Sequence, residues 1–396
     1  MRLELPSDSS NAGGVIKGFG QKVWQLLHSS DLHLGRRFHQ FPGEIASPLE
    51  EARFEVISSL ARQARGAGAS TILLAGDTWD SEVPSERVLR QSLDRFAAQD
   101  DMRWLIMPGN HDPVGAGDLW GRVAAAGLAN VELLTERGSH EVAPDVWLLA
   151  APCAAGAAAV DPTVWMNAEA TPEGALRIGA AHGPALGFGD AGDQAVISPT
   201  RATEAGLDYL ALGDWHGWTL FGDRTLYPGT PEPDRFRDGS GLAASVRLAG
   251  GGAAPEIGQC LTARFHWLKR EFDLSLAEDP AAALSGALPP GAPRSDILMS
   301  LAFSGSVGPE AQVRWTGAAD DLGLSLRHLD IDASAVVSLV AADDLDLIDQ
   351  QGALRTAADS LLAASVDPDA AAEERAAAKL ALDLLFTWST QEEAAS

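Results

Sequence analysis

Short apolar runs alternate with polar or helical segments from residue 23 to about residue 247. Most of these runs end at Gly, Asp, Asn or His, which is typical of buried strands in an α/β domain. The segments 48–65 and 84–98 carry apolar residues at helical spacing with charged residues opposite, and they begin near Ser and Pro. We therefore predict alternating strands and amphipathic helices. The predicted strands are 23–27, 71–75, 103–107, 146–150, 176–180 and 209–212.

The next part of the chain is rich in Ala, Gly and Pro. Residues 250–255 predict a turn or hairpin connection, and residues 257–274 are typical of further strand. We predict a loop over 277–293, followed by a strand at 297–303. That strand opens a small appended unit, which we expect to end near residue 338.

The last part of the chain has Ala and Leu at helical spacing. We predict two helices over 354–388, interrupted around 366–369. The chain should therefore have one large α/β domain with smaller additions. Its predicted parts are a loose leader (1–22), the main domain (23–249), a connection with a small appended α+β domain (250–338) and an acidic helical segment (339–396).

The composition supports a folded chain rather than a disordered one. With 46% hydrophobic residues the chain can bury a large core, and its length of 396 residues suggests about two to three domains. Cys153 and Cys260 show no paired spacing, so neither a disulfide framework nor a zinc ribbon is indicated. The longest near-apolar stretch, 148–160, is shorter than the roughly 20 residues of a membrane span. Because residues 1–20 also lack a signal-peptide segment, we expect a cytoplasmic protein with no membrane association.

Acidic residues outnumber basic ones by 55 to 29, which gives a formal net charge of −26. This excludes a protein that coats nucleic acid through a broad basic face, because that mode requires clustered Lys and Arg. A local basic groove is still compatible with the composition. Residues 331–396 contain thirteen acidic and three basic residues. We therefore expect weak, salt-sensitive binding of the isolated chain to nucleic acid, which a basic partner subunit would remedy.

Side chains that bind metals stand just after five of the predicted strands. Residues beyond the carboxyl ends of strands in an open α/β sheet converge on one crevice, so separated clusters can form one site. Asp31 and His33 are two positions apart, as are Asp214 and His216, which lets each pair project to the same side of extended backbone. The candidate ligands are Asp31, His33, Asp77, Asn110, His182, Asp214 and His216.

This donor set is too large for one tetrahedral zinc ion. Seven oxygen and nitrogen donors suit two divalent ions that share a bridging carboxylate. A mixed shell of this kind favours Mn²⁺, and Fe, Zn or Mg stay compatible with it. We therefore predict a site for two divalent metal ions, with Mn²⁺ as the preferred ion.

These ligands lie in five motifs, which in chain order are residues 31–33, 76–80, 109–112, 182 and 213–216. The order and spacing of the five motifs resemble the five signatures of the calcineurin-like metallophosphoesterase superfamily. Residues 28–35 and 227–233 further resemble its branch of SbcD-like and Mre-type DNA repair exonucleases. The resemblance covers roughly residues 23–235. It implies a metallophosphoesterase-type α/β/β/α sandwich, to which the small appended α+β domain and the terminal helices are added.

The resemblance also implies a role for each matched residue. One ion would be held by Asp31, His33 and His216, the other by Asn110, His182 and Asp214, with Asp77 bridging the two. A metal-bound hydroxide would attack phosphorus in line. His111 would protonate the leaving oxygen or stabilise the transition state, with Asp112 orienting it. Asp80 is expected to contact one of the ligands from outside the metal shell.

The sequence departs from the family pattern at one ligand. Asp214 stands where the family has His, so one nitrogen ligand becomes an oxygen. A carboxylate is a competent Mn²⁺ ligand, but its negative charge should reduce the Lewis acidity of that ion. We therefore predict an active enzyme with altered metal selectivity.

The expected function is that of a two-metal phosphodiesterase, a DNA exonuclease or endonuclease of DNA repair. Arg36 and Arg37 follow the first motif and could contact a nucleic-acid backbone, although a solvated loop explains them equally well. The family further implies an SbcC-like coiled-coil ATPase partner and a homodimer. Two alternatives stay open: a phosphoesterase for a cyclic nucleotide or phosphoprotein, and a non-catalytic subunit that retains the fold.

Overall fold

The computed structural model describes residues 23–156, 160–185, 196–236, 240–276, 279–338 and 352–394. The predicted leader at 1–22, and residues 339–351 of the predicted C-terminal segment, lie outside the described residues. The strands are β1 (Trp24–Ser29), β2 (Thr71–Ala75), β3 (Arg103–Met107), β4 (Val131–Leu133), β5 (Gly138–Ala143), β6 (Val146–Ala151), β7 (Leu176–His182), β8 (Tyr209–Gly213), β9 (Thr219–Phe221), β10 (Thr225–Tyr227), β11 (Leu242–Leu248), β12 (Glu256–Leu261), β13 (His266–Asp273), β14 (Ile297–Val307) and β15 (His328–Ser338). The helices are α1 (Gly43–Gly66), α2 (Glu86–Ala97), α3 (Leu119–Ala125), α4 (Arg201–Glu204), α5 (Pro280–Gly286), α6 (Pro309–Gly323), α7 (Ala353–Val366) and α8 (Ala372–Ala394).

The main domain contains two six-stranded sheets. The first has the order β12, β11, β1, β2, β3, β4, and the second has the order β5, β6, β7, β8, β10, β9. The strands at the centre of each sheet are parallel, and all six predicted strands are among them. Their carboxyl ends therefore lie at a common edge of each sheet.

Successive residues of the central strands face different cores, as the two-residue period of a strand requires. Leu26 and Leu148 point between the two sheets, where they belong to one buried apolar cluster. Leu27 faces the opposite way and packs against Ile57 of α1. Leu149 likewise faces an outer cluster on the far side of the second sheet. Helices therefore cover both outer faces, and the predicted α/β/β/α sandwich is confirmed.

A smaller parallel sheet, β13–β14–β15, forms the appended unit. One of its faces packs against α5 and α6, where Met299 and Trp315 are fully buried. Leu298 faces the other way and packs with Trp267 of β13 and Phe38 of the main domain. The appended unit is thus joined to the main domain by a buried apolar contact next to the first metal motif.

Two predicted segments differ from the structure. The loop predicted over 277–293 contains α5, because Asp279 accepts a hydrogen bond from Ala282 N–H and Pro280 starts the helix. The single strand predicted over 257–274 is interrupted, so that β12 ends the first sheet and β13 begins the appended one. The hairpin connection at 250–255 and the two C-terminal helices agree with the prediction.

None of the helices in the described part of the chain is long and apolar enough to cross a bilayer.

Replacing Leu298 by Ala should lower the free energy of unfolding by about 2–5 kcal/mol, because its fully buried side chain leaves a cavity between the two units. Urea denaturation of the whole chain measures this change. The matched control is Leu324→Ala, since Leu324 is 88% exposed and its loss should change stability by less than about 0.5 kcal/mol. Equal effects of the two substitutions would contradict the packing described here.

Candidate metal centre

The predicted ligands stand at the carboxyl ends of β1, β2 and β3 in the first sheet and of β7 and β8 in the second. Backbone contacts between the strand ends fix their relative positions. Asp31 N–H donates to Gly76 O at 3.0 Å, and His182 Nδ1 of the second sheet lies 2.8 Å from Ala75 O of the first. The candidate site therefore forms where the two packed sheets meet.

The backbone around the site is strained. Asp31, His33, Asp77 and Asp214 have positive φ angles of 58°, 47°, 54° and 107°. Such angles are uncommon for residues other than glycine, and of the described non-glycine residues only Asp145 shares this feature. Strained residues persist where the surrounding structure over-determines them, and they cluster at functional sites. Four of the predicted ligands are therefore held in conformations that the chain adopts at few other positions.

Asp31, His33 and His216 form one group of ligand atoms, which we call the first metal position. His33 Nε2 lies 3.2 Å from His216 Nε2, and His216 Nε2 lies 3.8 Å from Asp31 Oδ1. All three side chains are buried. Two imidazole nitrogens and a carboxylate thus converge from separate parts of the chain.

A second group lies beside it and comprises Asp77, Asn110 and His182, which we call the second metal position. His182 Nε2 lies 3.4 Å from Asp77 Oδ1 and 3.0 Å from the side chain of Asn110. The other carboxylate oxygen of Asp77 lies 3.7 Å from His33 Nε2. Asp77 therefore lies between the two positions, which is where a bridging carboxylate is needed. Its role as a bridging ligand stays a prediction.

The orientation of the imidazoles fits a metal centre. Each of the three rings turns its Nδ1 toward an oxygen outside the cluster: His33 toward Asp80 Oδ1 at 3.1 Å, His216 toward Asp234 Oδ1 at 3.5 Å, and His182 toward Ala75 O. An acceptor at Nδ1 fixes the tautomer whose Nε2 lone pair is free to bind a metal. The Nε2 atom of each ring faces a buried carboxylate, so the residues present fit divalent cations.

The electrostatics of the site show what a cation would relieve. Burial lowers the pKa of His33, which keeps its imidazole neutral and able to bind a metal. Burial acts against the charge of His182 too, but the adjacent Asp77 carboxylate outweighs it and raises the pKa of that imidazole. Burial also opposes ionisation of Asp77, but His182 lowers the pKa of that carboxyl well below its usual range. A proton on His182 thus offsets the carboxylate where a metal ion could do so.

The Asp112 carboxylate contacts two loops of the site. Its carboxylate accepts hydrogen bonds from Trp79 N–H at 3.0 Å and Gly109 N–H at 2.6 Å. Burial raises its pKa to about 7. The expected orientation of His111 by this carboxylate stays a prediction. Asp112 ties the loop after β3 to the loop after β2.

His111 lies at the open side of the cluster. Its side chain is 44% exposed, its Nε2 lies 4.0 Å from Asp77 Oδ2 and its Nδ1 lies 3.3 Å from Asp80 O. Its backbone N–H donates to Asp77 Oδ1 at 2.9 Å, which holds the loop after β3 against the Asp77 side chain. This is a suitable place for a group that exchanges a proton with a substrate.

Asp214 lies beside the second metal position. Its backbone N–H donates to the Asp31 carboxylate, at 3.1 Å from Oδ2. Its side chain lines a pocket of about 380 Å³ together with Asn110 and His182. Among the described residues it is not part of any group of three acidic or imidazole side chains whose ligand atoms lie within 4.8 Å of one another. Binding of the second ion by its carboxylate therefore stays a prediction.

Both arginines that could contact a nucleic acid form ion pairs within the chain. Arg36 pairs with Asp80 at 3.4 Å and with Asp234 at 3.1 Å. Arg37 pairs with Glu50 at 2.8 Å. The structure therefore favours an internal role for Arg36 over contact with a phosphate backbone.

Asp234 is a site residue that the sequence reasoning missed. Only 1% of its side chain is exposed, and it faces His216, Arg36 and Arg53. Burial opposes its ionisation, but contacts with His216 and Arg53 hold its pKa far below the usual range. Asp234 directly follows segment 227–233, which resembles the DNA repair exonucleases. Its place beside this segment is the signal that could have identified it.

Two packed sheets close over buried carboxylates and inward-facing imidazoles, an arrangement of donors that can bind divalent cations. Residues 25–218 match the family model described as calcineurin-like phosphoesterase. No curated protein matches the sequence.

Solved structures that align with the chain include TT1561 of Thermus thermophilus. The identity is 11% and the TM-score 0.38, over 60% of this chain and 100% of the other. Another is purple acid phosphatase PPD1 from yellow lupin (Lupinus luteus) seeds, with 10% identity and a TM-score of 0.39. That alignment covers 61% of this chain and 52% of the phosphatase.

Substituting Gly109 by Ala should displace Asp77, the predicted bridging ligand, because a Cβ at position 109 would overlap Asp77 Oδ1 and the Asp77 backbone nitrogen. We expect a loss of about 1–3 kcal/mol in stability together with reduced binding of Mn²⁺. Denaturation and metal analysis after dialysis measure the two effects. Gly66→Ala serves as the control, since a Cβ at Gly66 would contact nothing. Full retention of metal in Gly109→Ala would argue against a bridging Asp77.

Proposed function

We propose that the chain is a two-metal phosphodiesterase that hydrolyses DNA. The observation that carries the proposal is the convergence of three imidazole Nε2 atoms on two buried carboxylates: those of His33 and His182 face Asp77, and that of His216 faces Asp31. The Nδ1 of each ring faces an oxygen outside the cluster. Imidazoles and carboxylates arranged in this way bind divalent cations. Calcineurin-like phosphoesterases use such cations. We propose Mn²⁺ as the preferred ion.

The residues of the site divide the work of phosphodiester hydrolysis. The two ions would supply the nucleophile and neutralise charge on the phosphoryl oxygens. The residues of the first and second metal positions would hold these ions, with Asp77 as the predicted shared ligand. His111 stands at the open side, where its imidazolium form donates a proton to the leaving oxygen. Asp112 keeps the His111 loop in register with the loop that carries Asp77.

A DNA substrate is supported by the resemblance of two segments to DNA repair exonucleases. Segment 227–233 lies against the site, because Thr230 Oγ1 donates a hydrogen bond to Asp31 O at 2.9 Å. Segment 28–35 carries Asp31 and His33 themselves. Both segments therefore belong to the metal centre, which gives the resemblance a structural context.

Partner binding is part of the same proposal. An SbcC-like coiled-coil ATPase and a second copy of this chain are the partners that the resemblance implies. The C-terminal helices support a docking role, because they expose Leu354, Val366 and Leu380 to solvent. Sedimentation of the chain alone distinguishes a dimer from a monomer. A chain without α7 and α8 that still binds to an immobilised coiled-coil ATPase would contradict the docking role of these helices.

The proposal is tested with linear duplex DNA and with bis(p-nitrophenyl) phosphate, each in the presence of Mn²⁺. We expect release of nucleotides from DNA and hydrolysis of the small ester. The variant His111→Ala should lose turnover by a factor of about 10²–10⁴, the usual contribution of a general acid, and should keep its bound metal. An unchanged rate in this variant would remove the role assigned to His111.

A small-molecule phosphoesterase is the second candidate, and one observation favours it. The pocket of about 380 Å³ beside Asp214 has walls of Pro, Ala and Val side chains, which suit a compact organic group. Hydrolysis of the small ester or of a cyclic nucleotide without any release from DNA would decide for this candidate. A phosphoprotein substrate is examined in the same way. Absence of all turnover, with metal bound, would instead indicate a non-catalytic subunit.

Substituting Asp214 by His should change the metal preference of the second position. An imidazole removes one negative charge and supplies a nitrogen donor, so activity with Zn²⁺ should rise relative to activity with Mn²⁺. Rates measured with each ion after removal of metal by a chelator provide the ratio. Asp223→His, at a site where the side chain is 65% exposed, controls for the substitution itself. An identical ratio in Asp214→His and the unaltered chain would show that Asp214 does not bind the ion.

A further inference from the structure

Two carboxylates stand behind the first metal position, one for each of its imidazoles. Asp80 faces Nδ1 of His33 at 3.1 Å, and Asp234 faces Nδ1 of His216 at 3.5 Å. The two carboxylates come from distant parts of the chain, the loop after β2 and the segment after β10. Each carboxylate lies within ion-pair distance of one ring, on the side away from the first metal position.

A single guanidinium connects these carboxylates. Arg36 Nη1 lies 3.4 Å from Asp80 Oδ1, and Arg36 Nη2 lies 3.1 Å from Asp234 Oδ2. The planar fork of an arginine holds two partners in a defined relative geometry, which a lysine ammonium cannot do. Arg36 itself lies on the loop directly after His33, so its backbone is fixed by the same motif.

A second arginine, Arg53, also contacts the Asp234 carboxylate. The side chain of Arg53 on α1 is fully buried, and its Nη1 donates to Leu32 O at 2.8 Å. Its Nη2 lies 4.0 Å from Asp234 Oδ2, and its guanidinium stands 5.8 Å from the ring of Phe38. A buried cation requires a paired anion, so Asp234 cannot move away from this place at low cost.

We infer that Asp234 and Arg36 are positioning residues that orient His216 and His33 as one unit toward the first metal ion. The inference rests on the proposed function, since it assumes that the two imidazoles bind a metal. It extends that function by assigning to Arg36 a structural task in metal binding rather than contact with DNA. It also predicts an asymmetry, because the second metal position has no contact with Arg36 or Asp234 among the described residues.

The test is a titration of the metal-free full chain with Mn²⁺, followed by calorimetry, for the unaltered chain and for Arg36→Gln. We expect one of the two affinities to fall by a factor of about 10–100 and the other to stay unchanged. Arg37→Gln is the matched control for metal affinity, because the neighbouring Arg37 pairs with Glu50 and reaches neither carboxylate. Arg36→Lys should fail to restore the affinity, since it lacks the fork.

A second measurement separates positioning from general damage to the fold. Asp234→Asn leaves Arg53 without its charged partner and can unfold the chain, whereas Arg36→Gln retains that pair. The ¹⁵N shifts of the His216 ring in the metal-free Arg36→Gln chain should show a smaller share of the tautomer protonated at Nδ1. Circular dichroism verifies that the variant is folded.

Other outcomes would overturn the inference. Equal weakening of both metal affinities in Arg36→Gln would contradict a positioning role at the first metal position. Unchanged metal affinities with a raised KM for DNA would contradict it as well. Metal binding is measured without substrate, so a chain that shows the selective loss but cleaves no DNA would refute only the proposed substrate. A chain that cleaves DNA while Arg36→Gln binds both ions normally would refute only this inference. Failure of the unaltered chain to bind Mn²⁺ would overturn both.

Discussion

The structure depends on the burial of carboxylates at the junction of two sheets. Asp31 and Asp77 are almost completely buried and lie on neighbouring strand ends, where water cannot screen their charge. Burying such groups without a counter-charge is strongly unfavourable. Burial opposes a charge on His182, but the Asp77 carboxylate outweighs burial and raises the pKa of this imidazole, which favours a positive charge beside the carboxylates. The remaining features of the site hold these two carboxylates close together, as a site for divalent ions would require.

The local backbone reflects the same constraint. The positive φ angles of Asp31 and Asp77 bring their side chains inward at the cost of an unfavourable conformation. Glycine at position 109 lets the loop after β3 approach the Asp77 backbone, and Asp112 then holds both loops through two hydrogen bonds. The apolar cores on both faces of each sheet make the strand ends rigid, so the strain is confined to the loops that carry the ligands.

Much of this site could be predicted from the sequence because its ligands stand next to strong strand signals. Short apolar runs that end in Gly-Asp or Gly-Asn locate both the strand and the ligand after it. Contacts between distant segments leave no such pattern, which is why the pairing of Arg36 with Asp234 and the position of Asp112 could not be predicted. Strands of three residues, such as β9 and β10, are also too short to show a period. The only sequence signal for helix α5 is Asp279-Pro280 at its start. The small residues around this pair make that signal weak.

The net charge of −26 also has a different meaning once the site is known. Both arginines nearest to the first motif are engaged by carboxylates of the chain itself, so their charges are offset before a substrate arrives. A phosphodiester that approaches Asp31, Asp77 and Asp80 would therefore meet a negative surface. Only bound cations reverse that potential, because each divalent ion adds two positive charges where the carboxylates converge. In the proposed function, metal binding and substrate binding would for this reason be linked steps, and the inferred positioning of the ligands by Asp234 and Arg36 would act on both.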